Sequence, residues 1–570
     1  MPSHNHILTI AVFLPLVGAW VIAFLPSEAA GRIRFVALAF SGLTFAVTLG
    51  LLFGFDRAQG GFQWVEDYAW IASPPIHYHL GIDGLSLILV VLTGFLTPLS
   101  VLASWTGITE RVKEFHLFLL ALETGVIGVF VSVDLFLFFV FWEVMLIPMY
   151  FLIGIWGHGR KVYAAAKFIL YTMAGSALML VGIIFLYDRT GTFDYSQILG
   201  ALSSGSLVLT PHVESLLFWA FLLAFAIKVP LFPLHTWLPD AHTEAPTAGS
   251  MILAGVLLKM GTYGMLRFCL PLFPNSSREF STLLSVLAVI GIIYGALVSM
   301  VQPDLKRLVA YSSVAHLGFV VLGIFAFNPE GAEGAIYQMV NHGVSTGALF
   351  MMVGMLYDRR HTRLIKDFGG LGTTIPVFST FFMIVTLSSL GLPLLNGFVG
   401  EFLIILGSFR ARALFGSLAA VGVILAAVYL LWMYQRVFLG EVTNEKNREI
   451  SDCNAREKLM LTATVAVIIF MGVYPQPFLR QMDSSVSQVL ARVNPGAENA
   501  FRVAPRKNSL PVHEAWPKAG VVALRGTPFP MGEGGAKRRV SGQFEISAAK
   551  PDGNLAENSP TTTAARGADR

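Results

Sequence analysis

The chain has 570 residues, of which 55% are hydrophobic and only 13% are charged. Soluble domains carry about 25% charged residues, so a soluble globular protein is excluded. The apolar residues come in runs of about 20, the length of helix that crosses the apolar core of a bilayer. The composition therefore predicts a polytopic protein embedded in the lipid bilayer.

Cysteine and glycine patterns argue against redox centres and bound nucleotides. The chain has 2 cysteines, too few for a disulfide framework or a four-thiolate iron–sulfur cluster. No G-x-G-x-x-G sequence follows a strand pattern, so we expect no nucleotide-binding domain. We also expect no cofactor or metal on this chain. The net charge of +4 does not indicate a nucleic-acid partner, because residues 494–570 hold 11 of the 39 Lys and Arg and 7 of the 35 Asp and Glu. The rest of the chain is formally neutral.

The apolar runs predict an all-α fold with about fourteen transmembrane helices. The first run lacks the basic n-region of a cleaved signal peptide, so we interpret it as a span. The twelfth run is too long for one straight crossing, and Gly391 and Pro393 in its middle predict a break. The spans are expected near 7–25, 33–55, 85–105, 115–132, 135–156, 164–187, 214–236, 246–270, 280–301, 306–327, 334–357, 375–408, 415–438 and 459–475.

The loops between these spans differ in positive charge. One set of alternate loops holds 17 Lys and Arg and the other set holds 6. Positive charge collects in cytoplasmic loops, so the first set is expected on the cytoplasmic side. With fourteen spans, both termini then lie on the opposite, periplasmic side.

A faint internal repeat relates two parts of the chain. The tetrapeptide LYDR occurs at 186–189 and again at 356–359, 170 positions later. The next span is interrupted in each case, at 228–230 and at 391–393, 163 positions apart. We therefore predict two five-helix repeats, spans 4–8 and 9–13, each with a broken helix. Because five is odd, consecutive units must be inverted, as in many transporters.

These patterns divide the chain into five regions. The last has 8 of the 28 prolines and no apolar periodicity, which predicts a disordered polar tail. The regions are 1–110 with spans 1–3, 111–270 with the first repeat, 271–440 with the second, 441–493 with the last span, and the tail at 494–570.

Charged residues inside spans are the main candidates for function, because each costs about 2.5–3.5 kcal/mol at the centre of a membrane helix. Glu143 stands in the apolar stretch 138–146, so we expect it to face the protein interior. A proton-handling acid is one interpretation, and a structural ion pair or a neutral hydrogen-bonded acid is the other. Glu123 is a weaker candidate, since little else around it is informative.

Two lysines and a second glutamate lie near the helix breaks. Lys228 precedes Pro230, and a proline frees backbone carbonyls that need a polar cavity. A buried lysine there can exchange its proton, although a lysine that reaches the interface is the alternative. Lys259 lies mid-span, and Glu401 follows the second break. All three are predicted to transfer protons.

Three histidines in the spans are less specific. His316 and His342 suit a proton relay because the unperturbed pKa of histidine is near 6.5, and His235 is a weaker candidate. A structural hydrogen bond between helices is the alternative, and a pair of histidines on two helices could also ligate haem. We favour proton transfer along glutamate, lysine and histidine.

The stretch at 228–250, KVPLFPLHTWLPDAHTEAPTAGS, followed by LKMG at 258–261, resembles the signature of the antiporter-like subunits of respiratory complex I. The resemblance covers about residues 5–480. The same family includes subunits of multisubunit cation/proton antiporters and of membrane-bound hydrogenases. A sodium/proton antiporter subunit and a hydrogenase subunit therefore remain as alternatives.

Within that family the chain is most similar to the M type of NADH–quinone oxidoreductase, which corresponds to chain 4 of the mitochondrial enzyme. Glu401 stands where the L- and N-type paralogues carry lysine, the loop at 359–371 resembles the M type, and no lateral helix is expected after the last span. This resemblance implies a bacterial cytoplasmic membrane, partner subunits of the L and N types, and NADH, flavin, iron–sulfur clusters and quinone on other subunits. It also implies the roles of the site residues: a Glu143–Lys228 pair, a central Lys259, a relay of His316 and His342, and Glu401 at the exit.

Overall fold

The computed structural model describes residues 6–494. The predicted tail lies outside the described residues, apart from Asn494. The first part of the described chain contains a β-hairpin and eleven helices. They are α1 (Ile7–Ala23), α2 (Ala30–Gly54), β1 (Gln63–Ile71), β2 (Ile76–Ile82), α3 (Gly84–Ala103), α4 (Val112–Val131), α5 (Leu135–Val144), α6 (Leu146–Trp156), α7 (Lys161–Thr190), α8 (Tyr195–Ser204), α9 (Pro211–Lys228), α10 (Trp237–Glu244) and α11 (Thr247–Leu272).

The remaining part is helical throughout, with short turns at Ile365–Asp367, Leu371–Thr374 and Glu445–Asn447. Its helices are α12 (Pro274–Met300), α13 (Leu305–Ile324), α14 (Pro329–Arg360), α15 (Pro376–Ser389), α16 (Asn396–Ala411), α17 (Ala413–Phe438), α18 (Ala455–Val473) and α19 (Gln476–Val493).

The predicted polytopic helical membrane protein is confirmed. Within residues 6–494, eleven helices are long and apolar enough to cross a membrane, or twelve if α18 and α19, bent by 68°, count as one broken span. Helices α1 and α15 are apolar but shorter. Helices α11 and α14 are buried on all sides at the centre, so their polar residues cannot face lipid.

The prediction of an all-α fold is wrong in the loop between α2 and α3. Strands β1 and β2 pair there as an antiparallel hairpin, with Tyr68 opposite Tyr78. The hairpin contacts α1, α3, α4 and α5. Glu66 of β1 is buried and accepts a hydrogen bond from Leu8 N–H at 2.8 Å. We call the end of the helix bundle that carries this hairpin the hairpin face.

A further helix, α19, follows the last predicted span and was not predicted from the sequence. Helix α19 is amphipathic, and Met482, Val486 and Leu490 on its apolar side are buried. It packs against α3, α14 and the ends of α11 and α12. A search for apolar runs did not find this helix because its mean hydropathy is low. Its apolar residues at i, i+4 and i+8 nevertheless follow the pattern of an amphipathic surface helix.

Proline and glycine residues interrupt two of the predicted spans. The seventh ends at Lys228, earlier than the predicted 236, because Pro230 and Pro233 cannot donate backbone hydrogen bonds. The twelfth consists of two helices separated by Leu390–Leu395, where Gly391 has a φ of +80°. A side chain at that φ would be strained, and a Cβ would lie 2.8 Å from Glu401 Oε2, so glycine is required there.

Candidate functional site

Lys228 lies at the end of α9 with its side chain fully buried. Its Nζ is 3.9 Å from Met145 Sδ and lies over the ring of Trp142, 5.1 Å from the centroid, and over that of Phe168, at 5.6 Å. The helix break positions it, since the Ile227 carbonyl accepts from Trp237 Nε1 at 2.8 Å. The ammonium therefore rests on aromatic faces and a thioether.

Glu143 faces the interior only in part, since its Oε1 is shielded from solvent while the residue lies near an outer edge of the bundle. It lies on α5 next to the bend at Met145, is half-buried, and has no hydrogen bond to Oε1. Val144 and Ile147 beside it are 44% and 54% exposed, because this part of the chain lies at the edge of the bundle. Among the described residues Glu143 and Lys228 form no ion pair within 4.0 Å, although they are close enough to interact through space. An apolar neighbourhood in sequence could not distinguish the core from an outer edge.

Lys259 lies at the centre of α11 and is fully buried. A π-helical turn at Leu253–Leu257 precedes it and shifts the backbone register, so that Leu258 N–H bonds to Leu253 O. The Ala254 carbonyl thereby becomes available and accepts from Lys259 Nζ. Such π turns often occur at functional sites because they present backbone oxygens to side chains.

A continuous line of side chains connects Lys259 to Glu401. Lys259 Nζ lies 2.6 Å from His342 Nδ1. The rings of His342 and His316 are 6.0 Å apart between centroids, and His316 Nδ1 lies 3.0 Å from Glu401 Oε1. All four residues are buried, and they come from α11, α14, α13 and α16. The structure therefore brings together four of the residues predicted from separate helices.

Amide side chains hold Glu401 in this line. Gln338 donates from Nε2 to Glu401 Oε1 at 3.0 Å. Asn341 donates to Gln338 Oε1 at 3.1 Å and to the Asn396 carbonyl at 2.7 Å, which ties α14 to the start of α16. Ser388 donates to Asn396 Oδ1 at 2.5 Å across the break. Gln338, Asn341 and Asn396 carry no charge, so a search for charges inside spans missed them.

Lys228 and Lys259 share no hydrogen bond, but their helices meet closely. Gly261 of α11 packs against the end of α9, where a Cβ would lie 2.6 Å from the Phe225 carbonyl. Only glycine allows this approach of the two backbones. The first lysine is thus separated from the line beginning at Lys259 by the packing of two helices.

The two weaker candidates lie outside the line. His235 is buried beside the α9 break, where it stacks on Phe232 at 5.6 Å and its Nδ1 has no partner. Glu123 is buried on α4, and the nearest hydroxyl group is that of Thr97. Neither carboxylate oxygen of Glu123 forms a hydrogen bond of ordinary geometry. Neither forms a hydrogen bond with Lys228, Lys259 or Glu401.

Sequence reasoning missed His242 and Lys306. His242 on α10 is fully buried, stacks on Phe350 at 4.5 Å between centroids, and has no hydrogen bond to either nitrogen. Lys306, one of the 17 Lys and Arg assigned to the cytoplasmic set of loops, is buried and donates to the Ala245 carbonyl. Lys306 and Lys259 both interact through space with His242. The position of His242 within the stretch at 228–250 was the available signal.

A cavity of about 710 Å³ lies at the end of the bundle opposite the hairpin. Its lining includes His158, Lys161, Asp358 and Glu457. Burial, followed by the charges of Lys306 and two further cations, lowers the pKa of His158 to about 4. This histidine is therefore neutral at physiological pH and can accept a hydrogen bond, but it does not take up a proton there.

The fold and this buried line define a membrane protein of the antiporter type. The family described as NADH:quinone oxidoreductase/Mrp antiporter matches residues 132–426, and the amino-terminal family of NADH-ubiquinone oxidoreductase chain 4 matches 61–127. A chain of respiratory complex I from Thermus thermophilus has the same fold, with a TM-score of 0.78, 31% identity, and coverage of 85% of this chain and 99% of that one. A chain of the Mrp complex from Dietzia sp. shares the fold at a TM-score of 0.70 and 22% identity, covering 85% of this chain and 100% of that one.

Sequence relatives narrow the class. NADH-quinone oxidoreductase subunit M of Rhodobacter capsulatus is 47% identical over 497 residues, covering 85% of this chain and 96% of the relative. Chain 4 of NADH-ubiquinone oxidoreductase from Marchantia polymorpha is 44% identical, covering 84% and 96%. The chain belongs to the family of NADH-quinone oxidoreductase subunit M and chain 4. The predicted function, a proton-translocating membrane subunit of that oxidoreductase, is confirmed, and the antiporter and hydrogenase alternatives are not favoured.

Proposed function

We propose that this subunit moves protons through Lys228, Lys259, His342, His316 and Glu401. The observation that carries the proposal is the line of four neighbouring buried titratable groups from Lys259 to Glu401. Charged groups at membrane depth are costly, and a structural role does not need four of them in sequence. A line of lysine, histidine and glutamate can accept and release protons, whereas it offers no site for electrons.

Lys228 is the group that stores and releases the proton in this proposal. In a low-dielectric site an ammonium is stabilised by a nearby carboxylate and destabilised when the carboxylate withdraws. Glu143 is well placed to be that carboxylate, because it is half-buried at the edge of the chain and unpaired at Oε1. A neighbouring subunit contacting this edge could change the distance between the two charges and so drive the proton from Lys228 towards Lys259.

The second half conducts the proton onward. Lys259 passes it to His342, which lies 2.6 Å away. The proton then crosses from His342, whose Nε2 has no hydrogen-bond partner among the described residues, to His316, whose ring lies edge to face with it at 6.0 Å between centroids. His316 then transfers the proton to Glu401, whose Oε2 has no hydrogen-bond partner and can release it.

His242 and Lys306 suit uptake of the proton. They lie between Lys259 and the charged end of the bundle where the cavity of about 710 Å³ opens. We infer that His242 connects this end to Lys259. His235 and Glu123 are proposed only as secondary sites that tune the charge of the first half.

The fourteen-span arrangement is part of this proposal. The eleven clear candidates become fourteen crossings if α1, the broken pair α15–α16 and α18 each cross once. The helix breaks after Lys228 and before Glu401 support two inverted five-helix repeats. The proposed regions remain 1–110, 111–270, 271–440, 441–493 and 494–570.

The orientation and the partners are inferred together. Placing the end with 17 Lys and Arg in the cytoplasm puts both termini and the hairpin face in the periplasm. We infer a bacterial cytoplasmic membrane, contacts with other membrane subunits, and neighbours of the L and N types. NADH, flavin, iron–sulfur clusters and quinone would then lie on partner subunits, since this chain supplies 2 cysteines, both unpaired.

A histidine exchange tests the conducting line. We expect His316→Gln to abolish NADH-driven proton pumping in inverted vesicles while the complex assembles on a native gel. The matched control is His116→Gln, because His116 is equally buried but bonds only to the Val112 carbonyl of its own helix at 2.7 Å. Normal pumping in an assembled His316→Gln complex would sink the proposal.

A further inference from the structure

Arg267 is a buried cation that the proposed path does not use. It lies on α11, eight residues beyond Lys259 and about 12 Å further towards the hairpin face at 1.5 Å per residue. Its side chain is only 6% exposed, and it occupies a second π-helical turn, Met265–Cys269. A proton on Lys259 that moved along α11 to the hairpin face would meet it.

Arg267 is held from several sides. Its Nη2 donates to Asp83 Oδ1 at 2.5 Å, and its Nε donates to Tyr263 Oη at 3.1 Å. The guanidinium also lies over the rings of Phe62 and Tyr263, at 5.0 and 5.3 Å. Tyr263 in turn donates to the Phe130 carbonyl at 3.2 Å. The cation therefore has a fixed position.

Helix α19 covers this cluster. Asp83 caps the start of α3 by accepting from Leu85 and Ser86 N–H at 3.1 Å. Gly84 N–H donates to Ser485 Oγ at 3.0 Å, and a Cβ on Gly84 would lie 3.0 Å from Met482 Cα. The charged pair is thus sealed beneath α19.

Stability alone does not explain such a pair. Buried ion pairs are often no more stable than apolar residues of similar size, because both charges lose their water. Arginine also differs from the residues of the conducting line, since it has five N–H donors, no acceptor and a proton that does not leave. It can neither accept nor relay a proton, and a fixed arginine excludes protons from membrane pores.

We propose that Arg267, held by Asp83, is a proton barrier that closes the hairpin side of the first half. It prevents a proton on Lys259 from escaping along α11 and so directs it through His342 to Glu401. This role of Arg267 rests on the proposed function, because a barrier matters only if protons move along the proposed path. The barrier itself can be measured without pumping.

The test measures passive proton leak. Inverted vesicles containing the complex receive a potassium diffusion potential with valinomycin, without NADH, and proton uptake is normalised to assembled complex. We expect Arg267→Gln to raise the leak on the order of tenfold, a factor that one screened charge can supply. Asp83→Asn keeps the cation and should leak as little as the unaltered protein.

The double variant Asp83→Asn with Arg267→Gln leaves no charge unpaired, so it should assemble and leak as Arg267→Gln does. A purely structural pair would make both single variants leak equally, which overturns the proposal. An assembled double variant without leak overturns it too, as does failure of that variant to assemble.

A further variant separates this inference from the proposed function. Adding Glu401→Gln to Arg267→Gln should not reduce the leak, because the escaping proton does not pass Glu401. A leak that disappears would place it on the conducting line and overturn the barrier. A leak that persists while Glu401→Gln alone pumps normally would sustain the barrier and sink the proposed exit.

Discussion

The two halves of the molecule use the same device, a broken helix beside a buried charge, but surround the charge differently. Lys228 rests on aromatic rings and a thioether, with no carboxylate within 4.0 Å among the described residues. Glu401 contacts His316 and Gln338, each at 3.0 Å. The first charge is weakly compensated, and the second is embedded in hydrogen bonds.

This difference separates two tasks. A cation without a fixed partner responds strongly when a carboxylate approaches or leaves, because the low dielectric magnifies the interaction. A carboxylate with fixed donors keeps its geometry through each cycle. The first half is therefore suited to receiving a signal from outside the chain, and the second to conducting a proton reproducibly.

The largest effect is expected from removing the buried lysine of the first half. Lys228→Met keeps the side-chain volume but removes the titrating group, so we expect NADH-driven pumping to fall roughly 100-fold or more, the range that a positioned proton donor contributes. Pumping is measured in inverted vesicles, normalised to assembled complex. Lys167→Met is the control, because Lys167 bonds to Asp240 at 2.7 Å and to the Thr236 carbonyl at 3.0 Å but forms no hydrogen bond with Lys228.

An equal loss in the Lys167→Met control would indicate general damage to the subunit. Substantial pumping by assembled Lys228→Met would show that the first half only supports the second. The comparison between a responsive and a conducting half would then be wrong.

The second expected effect concerns the kind of charge at the end of the line. Glu401→Lys places a cation next to His316 and onto a path that already contains Lys259, so we expect the greatest loss of the three variants. Glu401→Gln should lower pumping by about tenfold to 100-fold, which is no more than the contribution of a positioned proton acceptor. Glu401→Asp, one methylene shorter, should be mildest. If Lys pumps as well as Asp, the surroundings of Glu401 do not specify an acid.

Much of this comparison could be predicted from sequence. Charges inside spans stand out against apolar neighbours, and proline or glycine beside them marks the breaks at Lys228 and Glu401. The amphipathic α19 and the hairpin were missed because neither raises local hydropathy. The exposure of Glu143 could not be predicted, since the core and an outer edge of the bundle both require apolar neighbours.

The third prediction tests how the second half is held. Gln338→Leu removes the neutral donor to Glu401, and the net contribution of a typical hydrogen bond is about 0.5–1.5 kcal/mol. We therefore expect pumping to fall by about fivefold to tenfold, with assembly retained. Gln302→Leu is the control, because Gln302 bonds only to a carbonyl of its own helix, Val298, at 3.0 Å. No change in Gln338→Leu would show that His316 alone positions Glu401.

The smallest expected effect concerns the hairpin, which contacts α4 and α5 of the first half as well as α1 and α3. Hydrogen bonding to Asp67, at 2.7 Å, raises the pKa of His77 against the opposing effect of burial, and the charges of Asp67, Asp134 and Asp194 add to the rise. A raised pKa in the folded state stabilises the hairpin below the ordinary value of 6.5, and this contribution is lost as the pH rises through the raised pKa. Because His77 and Asp67 are 39% and 47% exposed, solvent screens the pair, which then contributes about 0.2–1 kcal/mol.

The measurement is amide hydrogen exchange in β1 and β2, corrected for intrinsic rates. The amides should be more protected at pH 6 than at pH 9 by less than about fivefold, and His77→Gln should remove this difference. Amides around Glu401 should show no such dependence on His77; if they do, the two halves are coupled through the hairpin face and cannot be treated as separate devices.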